Sequence, residues 1–370
     1  MRDVSIACYK AHLSDSSKSS EVFFADALSG IGARGVRVAN EIPQINRVFL
    51  NDINSTALEF GKKSAKLNSV ENKCVFTRSE VCSFLVSRIQ NDSERFDLVD
   101  LDPFGTPSDF ADCLIRAAKD GGLLSLTATD SAVLCGVYPH VALRKYQGLP
   151  LRTEYSHEVG MRLLFGLAAQ IAMRLEAGIL PKFCHHDMHY FRAYLLVKVG
   201  NAYSRENESK IGFILHCFKC GHRKTITRDD LFSLRSDRGV SKRDTASVSK
   251  DKLQDYLICP SCGSGSIEKG GRLAIGGPLW IGNIQSEEFV LRCREVSKLP
   301  VFSPEIDLPL YYDLNAIKLK RGTSMPKINV VAQELQSRGY ITSRTRLNPN
   351  ALRTAAPKDV LTQVVLELAR

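Results

Sequence analysis

No stretch of this chain approaches the roughly 18–20 consecutive apolar residues needed to span a bilayer, so no segment reads as a membrane helix. The amino-terminal Met1-Arg2-Asp3-Val4 carries an acid at once and has no long apolar core, which does not fit a secretion signal. A disulfide framework is lacking too. Eleven cysteines, an odd number, are scattered without the pattern of a small stapled fold. Seven of them (Cys8, Cys74, Cys82, Cys113, Cys135, Cys184 and Cys293) lie mostly among apolar neighbours and are expected as reduced core thiols. The G-x-G-x-x-G spacing of a dinucleotide fold is also missing. The expectation is a cytoplasmic protein without a membrane anchor.

What is present is an ordinary soluble composition, 44% hydrophobic and 24% charged, over 370 residues. That length predicts two or three domains. The net charge of +10 is uneven: residues 1–200 hold 23 Lys and Arg against 22 Asp and Glu, residues 201–370 hold 27 against 18. A nearly neutral half joined to a basic half predicts a catalytic domain over 1–200 and a polyanion-binding domain over 201–370.

The most informative stretch is residues 96–107. An apolar strand-like run ends in Asp102-Pro103-Phe104-Gly105, which is an acid, a rigid corner, an aromatic ring and a permissive glycine. In open α/β sheets the carboxyl edge of a strand is where ligands bind. Such a tetrapeptide suits methylation of an exocyclic nucleobase amine: the acid and nearby carbonyls accept from the NH₂ while the ring stacks on the base. A plain Pro-Gly turn after a strand is the competing reading.

Upstream residues bear on that choice. Val22–Ala25, Arg47–Leu50, residues 96–101 and Leu123–Ala128 read as strands, with helical stretches at Val36–Glu41, Ser55–Leu67 and Ser108–Lys119 between them. The alternation predicts a doubly wound, mostly parallel sheet. After the first strand, Asp26 opens a loop in which Gly30 and Gly32 let backbone amides approach a ligand. Asp52, closing the second strand, can take both hydroxyls of a ribose. These features together indicate an adenosine-containing cofactor and no more. Adding the tetrapeptide favours S-adenosylmethionine over a nicotinamide, because hydride transfer has no evident use for it.

Several stretches, in order along nearly the whole chain, resemble the tRNA guanine-26 N2-dimethyltransferases of archaea and eukaryotes. They are Arg2-Asp3-Val4-Ser5, Asp26 through Gly35, Asn51-Asp52-Ile53, Asp100 through Pro107 and Thr127-Ala128-Thr129-Asp130. His189-Tyr190-Phe191-Arg192, Gly277 through Gly282, and Gly339-Tyr340 with Ser343-Arg344-Thr345 follow. The resemblance implies a class I methyltransferase domain and transfer of one and then two methyl groups to N2 of a tRNA guanine. It also implies cofactor contacts from Arg2, Arg34, Asp52 and the turn at Glu80-Val81, with Asp102 engaging the amine and Phe104 stacking on the base. Family members carry a further amino-terminal segment with an aromatic residue that helps hold the base, whereas here Arg2-Asp3 follows Met1 directly. A misassigned start or a loss of activity is the expectation from that difference. Glu80-Val81-Cys82 stands where Asp-Ala-Asn is usual, and Arg346 where the family often has His.

In chemical terms, Asp102 accepts from the amine and takes its proton as the C–N bond forms, with the carbonyl near Pro103 as second acceptor. In-line displacement at a sulfonium methyl needs positioning, so no cysteine adduct is expected. Asp100 and Asp130 read as supporting or capping residues.

In the second half, Cys217-x-x-Cys220-Gly221 and Cys259-x-x-Cys262-Gly263 are two knuckles that predict a structural Cys₄ zinc ribbon over about 211–275, within a basic α+β tRNA-binding domain. His222 is a less favoured substitute ligand. Ser236–Lys252, charged and Ser-rich, reads as an insertion. Cys184 through His189 reads as a loop entering the strand Ala193–Val199, not as a metal site. Glu287–Val296 and Lys327–Gln336 read as helices. Lys318, Lys320, Arg321 and the Arg338–Arg346 stretch are expected to hold RNA phosphates. No protein partner is evident. Two rivals stand beside the main reading: an adenine-N6 methyltransferase, which Gly105 argues against, and a tRNA-binding protein without turnover.

Overall fold

The computed structural model describes residues 1–14, 21–89, 94–232, 257–266 and 270–369. The expected insertion at Ser236–Lys252 lies outside them. Seven strands form the main sheet: β1 Phe23–Asp26, β2 Arg47–Asn51, β3 Cys74–Thr77, β4 Phe96–Leu101, β5 Ala118–Ala128, β6 Ala177–Asp187 and β7 Tyr190–Val199. Their order is β3-β2-β1-β4-β5-β7-β6. Pairings from β3 to β5 are parallel, whereas β7 is antiparallel to both β5 and β6. The order reverses between β1 and β4, which makes that junction the switch point of the sheet.

Strand alternation puts apolar side chains on both faces. Phe23, Ala25, Phe49, Val99 and Leu101 join one buried cluster, and Phe24, Val48, Leu50 and Leu98 join another. Helices α1 (Arg2–Leu13), α2 (Ala33–Glu41) and α3 (Ser55–Leu67) cover the second face; α4 (Val81–Val86), α5 (Ala111–Ala117) and the long helix Ser156–Arg174 cover the first. This is the expected doubly wound architecture. The predicted helix at Ser108–Lys119 is shorter than its pattern implied. A 3₁₀ turn precedes it at Ser108–Phe110, and it stops at Ala117. The chain then pairs with β4 from Ala118, and Gly121 absorbs a left-handed φ of 77° beside an irregularity in that ladder.

A second correction concerns the thiols. Cys82 and Cys113 form a disulfide between α4 and α5, which neighbour one another in space though 31 residues apart in sequence. Cys8, Cys184 and Cys293 are buried free thiols as expected, while Cys74 and Cys135 are half-buried.

The second half is tied closely to the first. β8 (Ile211–Cys217), β9 (Arg223–Thr227) and β10 (Leu273–Trp280) form a three-stranded antiparallel sheet. Ile211, Ile214, Leu279 and Trp280 from it pack in the cluster of the main sheet. Helix Glu287–Ser297 lays Phe289, Val290 and Cys293 in the cluster that contains α1. The carboxyl-terminal part has a core of its own around Val331, Leu335, Leu361 and Val365. A buried ion cluster joins these layers. Glu158 accepts from Arg162 and Arg353 and from the backbone amides of Leu310 and Tyr311, while Glu305 takes Arg353 and Arg346. Arg346, expected on RNA, is thereby turned inward.

Burial opposes ionisation of Glu158, but Arg353 and Arg162 outweigh it and hold the carboxyl at about 2. A depressed carboxyl stabilises the fold above its unfolded value and loses that contribution as pH falls toward the folded one. Stability from this group is therefore expected to be complete above pH 4.5 and to drain away between there and about pH 2. Glu158→Ala leaves buried Arg162 without a counter-charge and Arg353 with Glu305 alone, and should destabilise the protein by about 3–5 kcal/mol in denaturant unfolding. A change under about 1 kcal/mol would show that the cluster does not hold the halves together.

Candidate active site

The carboxyl ends of β1 to β4 converge on one edge, and most of the expected residues are there. Gly30 and Gly32 take left-handed φ values of 53° and 76°. At Gly32, the start of α2, a Cβ would come within 2.9 Å of Leu50 Cδ2, so the loop lies tight on β2. Asp26 is buried at the end of β1 and accepts from the Gly35 amide at 3.0 Å. It braces the loop from behind. Burial is the main cause that lifts its carboxyl to about 7, against the pull of Arg34. Asp52 accepts from the Gly30 amide at 2.8 Å and the Asn54 amide at 2.9 Å, which fixes a half-buried carboxylate beside the loop. Two amides leave lone-pair capacity for the hydroxyls of a ribose.

Buried Asn51 ties this edge together, donating to the carbonyls of Ala27 and Ser79 at 3.1 Å each. Glu80 follows as the cap of α4, accepting from Ser83 N at 2.8 Å; amides of Cys82 and Ser83 pull its carboxyl down. Val81 points its side chain into the core, so only its backbone faces the edge. Arg2 is exposed at the start of α1.

The tetrapeptide turn is held on three sides. Pro103 is buried. Gly105, at φ 79°, donates to Thr129 Oγ1 at 2.7 Å, and its carbonyl accepts from the Thr129 amide at 2.8 Å. Thr106 Oγ1 meets buried Tyr146, whose hydroxyl donates to Asp130 at 2.7 Å. Asp130 is thus a supporting residue, as expected. Phe104 projects fully into solvent from this rigid mount, free to stack on a flat ligand.

Behind the turn lies what the sequence did not reveal. Asp100 is fully buried and accepts from Arg34, Arg192, Tyr9 and, at 2.9 Å, Ser125. Burial would raise its carboxyl, but Arg192 and Arg34 hold it at about 2. Arg192 also reaches Thr127 at 2.5 Å and Ser5 at 3.1 Å. Residues 100 and 102 share a face of β4 because they are two apart, and Arg34 spans them: Nη1 on Asp100, Nη2 on Asp102 Oδ2 at 2.7 Å. Asp102 Oδ1 accepts no hydrogen bond from the described residues. Arg34, expected on the cofactor, thus has both terminal nitrogens committed to carboxylates. The sequence signal was there to read, since Asp100 and Arg192 are charges within largely apolar strands.

Cys184 to Asp187 end β6, and a tight turn at Met188-His189 leads into β7. His186 stacks on His157 with ring centroids 3.9 Å apart. The segment packs as a hairpin end and does not gather metal donors among the described residues.

This site is set in a chain with clear relatives. A family model described as N2,N2-dimethylguanosine tRNA methyltransferase matches residues 1–366. The chain belongs to that family. The tRNA (guanine(26)-N(2))-dimethyltransferase of Methanosphaera stadtmanae is 32% identical over 381 residues, covering 99% of this chain and 88% of the relative. That of Methanothermobacter thermautotrophicus is 33% identical over 350 residues, covering 91% and 83%. Among solved structures, Trm1 from Pyrococcus horikoshii in complex with S-adenosyl-L-methionine superimposes with a TM-score of 0.76 at 28% identity, covering 99% of this chain and 92% of that one. The family and this neighbour share the class I methyltransferase fold expected from the sequence. No helix among the described residues is long and apolar enough to cross a membrane.

The four predicted metal cysteines also meet. The sulfur atoms of Cys217, Cys220, Cys259 and Cys262 all lie within 4.8 Å of one another, with two cross-knuckle Sγ–Sγ distances of 3.6 Å. A tetrahedral ion with Zn–S bonds near 2.3 Å requires sulfurs about 3.8 Å apart, so the donor set fits zinc. Gly221 and Gly263, at φ 76° and 66°, let each knuckle turn its amides back toward the thiols. His222 is not in this donor cluster; its Nδ1 is bonded to Ser261 Oγ at 2.9 Å. Purified protein is expected to carry one zinc per chain by elemental analysis. Cys217→Ser with Cys220→Ser should lose it and lower the melting temperature; full-length protein folded without zinc would refute the assignment.

Proposed function

We propose that this protein transfers methyl groups from S-adenosylmethionine to N2 of guanine 26 in tRNA, first one and then a second. The observation that carries this reading is Asp102. One oxygen is clamped by Arg34, the other takes no hydrogen bond from the described residues, and the exposed Phe104 ring is next in the turn at the switch point of a class I sheet. The activity and cofactor in the names of full-length relatives support it.

When bound, S-adenosylmethionine supplies a methyl group already activated by its sulfonium. The glycine loop at Gly30 and Gly32 would accommodate it, Asp52 would take its ribose hydroxyls, and the turn at Glu80-Val81 and Arg2 would complete the contacts. The protein's own part begins with a poor nucleophile, because the guanine N2 lone pair is delocalised into the ring. Oδ1 of Asp102 accepts an N2–H bond, with the Pro103 carbonyl as second acceptor, and localises that lone pair. As the C–N bond forms, the proton leaves toward Asp102. Arg34 keeps the carboxylate from swinging away, which is positioning, the main requirement of an in-line transfer. Phe104 stacking offsets roughly 1–3 kcal/mol of the few kcal/mol needed to extrude the base. The Cys₄ module serves as a structural zinc site, since four thiolates leave no open position for substrate. We infer a cytoplasmic location, supported by tRNA as the substrate named for the relatives.

The deciding measurement is transfer of labelled methyl to wild-type tRNA and to tRNA with adenine at position 26, followed by nucleoside analysis. N2-methylated and N2,N2-dimethylated guanine from the first substrate alone is expected; a labelled adenine or a different guanine would overturn the reading. Asp102→Ala should lower kcat by about 10²–10⁴ while cofactor binding by calorimetry stays intact. Arg34→Lys keeps one charge but cannot bridge two carboxylates, so it should lower kcat more than it raises KM; a loss of cofactor affinity in this variant would instead put Arg34 on the cofactor.

A further inference from the structure

The segment between β5 and the long helix rises from the catalytic turn and returns to it. It leaves at Thr129, whose amide and hydroxyl hold Gly105, and runs through the helix Ser131–Leu134 into the helix Pro139–Tyr146. It comes back at Tyr146, whose hydroxyl meets Thr106 Oγ1 at 3.0 Å and Asp130 at 2.7 Å, and at Lys145, whose ammonium meets Asp109 at 2.7 Å. Both ends are thus fixed to the loop that carries Asp102 and Phe104. Ala142 and Tyr146 turn one side of the second helix into the core. His140, Leu143 and Arg144, spaced three and four residues apart, share the opposite side and are exposed.

Large apolar side chains are left in water on this one short segment. Tyr138 is 56% exposed, Val137 46% and Leu143 45%, and Phe104 on the adjoining turn is fully exposed. Such residues scattered singly are ordinary, but grouped beside a site they mark a contact surface. Charge completes the pattern. Residues 131–152 contain no Asp or Glu. Arg144 and Arg152 are exposed, and neither has a hydrogen bond or an ion pair among the described residues. A Cβ on Gly136 would come within 3.4 Å of the Arg152 Cβ, so Arg152 stands next to Val137 and Tyr138. The acids that flank the segment are committed: Asp109 to Lys145, Asp130 to Tyr146 and Glu154 to Arg223. A second copy of the chain across a two-fold axis would set this cationic patch against itself, whereas a phosphate backbone pairs with it.

We propose that residues 131–152 form an RNA-binding surface in the first half of the chain, which takes the nucleotides flanking the extruded base. Arg144 and Arg152 pair with phosphates, and Tyr138 stacks on a neighbouring base. Extrusion leaves the neighbours of the target unstacked, and an exposed aromatic ring close to the pocket offsets part of that cost. This inference rests on tRNA being the substrate and adds a contact that the basic second half does not supply.

Titration of the full-length protein with a tRNA carrying guanine 26, at several salt concentrations, checks the surface without turnover. Arg144→Ala with Arg152→Ala should weaken binding about tenfold or more at low salt and reduce the slope of log affinity against log salt by about 1.5. Tyr138→Ala should weaken it about fivefold or more, and Tyr138→Phe should restore it. On tRNA made abasic at the nucleotide before or after guanine 26, Tyr138→Ala should cost nothing further in one of the two cases, because the ring has lost its partner. All three positions are exposed, so melting temperatures and S-adenosylmethionine affinity are expected to stay unchanged. Wild-type affinity and salt slope in the double variant, a Tyr138→Ala loss that persists on both abasic tRNAs, or an RNA-free dimer that Tyr138→Ala dissolves would overturn the proposal. Wild-type protein that does not bind tRNA at all would overturn the substrate reading as well. Intact binding and methylation by every variant would overturn the surface alone.

Discussion

The catalytic edge depends on the ionisation of one buried carboxylate, Asp100. An unpaired charge at that depth would cost several kcal/mol in desolvation, so its existence dictates its neighbours. Arg34 must come from α2, Arg192 from β7, and hydroxyls from Tyr9 on α1 and Ser125 on β5. Four elements are thereby drawn to one point beneath the carboxyl end of β4. Asp102 sits two residues further along the same face and shares Arg34 with it. The orientation of Asp102 is therefore set by the core, not by the loop that carries it. A functional group mounted this way keeps its geometry without relying on loop rigidity.

The same dependence explains what was legible in the sequence. Local signals reported local facts: the helix Ser55–Leu67 and the strand 96–101 lie where periodicity put them, and the acids Asp52 and Asp102 close their strands at the ligand edge. The four cysteines met because knuckle spacing is itself a local pattern. Partners of long sequence separation were not legible. The family resemblance implies a cofactor contact for Arg34, whereas its side-chain partners lie 66 and 68 residues away along the chain. Arg346 was placed on RNA because basic residues surround it, but Glu305 and Gln285 draw it inside. Cys82 and Cys113 gave no spacing signal, since only the packing of α4 on α5 brings them together.

Arginine resolves a recurring difficulty in this fold. Arg34, Arg192 and Arg353 are each nearly or fully buried, and each spans two acceptors that lie on different elements. A planar five-donor fork is suited to that bridging, whereas a lysine ammonium is not. Arg223 is held differently: it stacks between Tyr155 and Tyr312 and pairs with one acid, Glu154.

Placement of the two halves follows from these clusters. Glu158 sits on the long helix under the main sheet, yet its acceptor oxygens meet amides of Leu310 and Tyr311 and the guanidinium of Arg353 from the carboxyl-terminal part. Helix Glu287–Ser297 packs on α1, the same helix that supplies Ser5 and Tyr9 to the Asp100 cluster. The basic half is thus fixed to the sheet by two buried contacts on opposite faces and not by a single tether. A rigid frame of this kind suits the proposed reading, in which one base of a large folded RNA is presented to Asp102. On the proposed reading, phosphates held by the second half would then fix how far the base must travel to the Phe104 ring on its pinned turn.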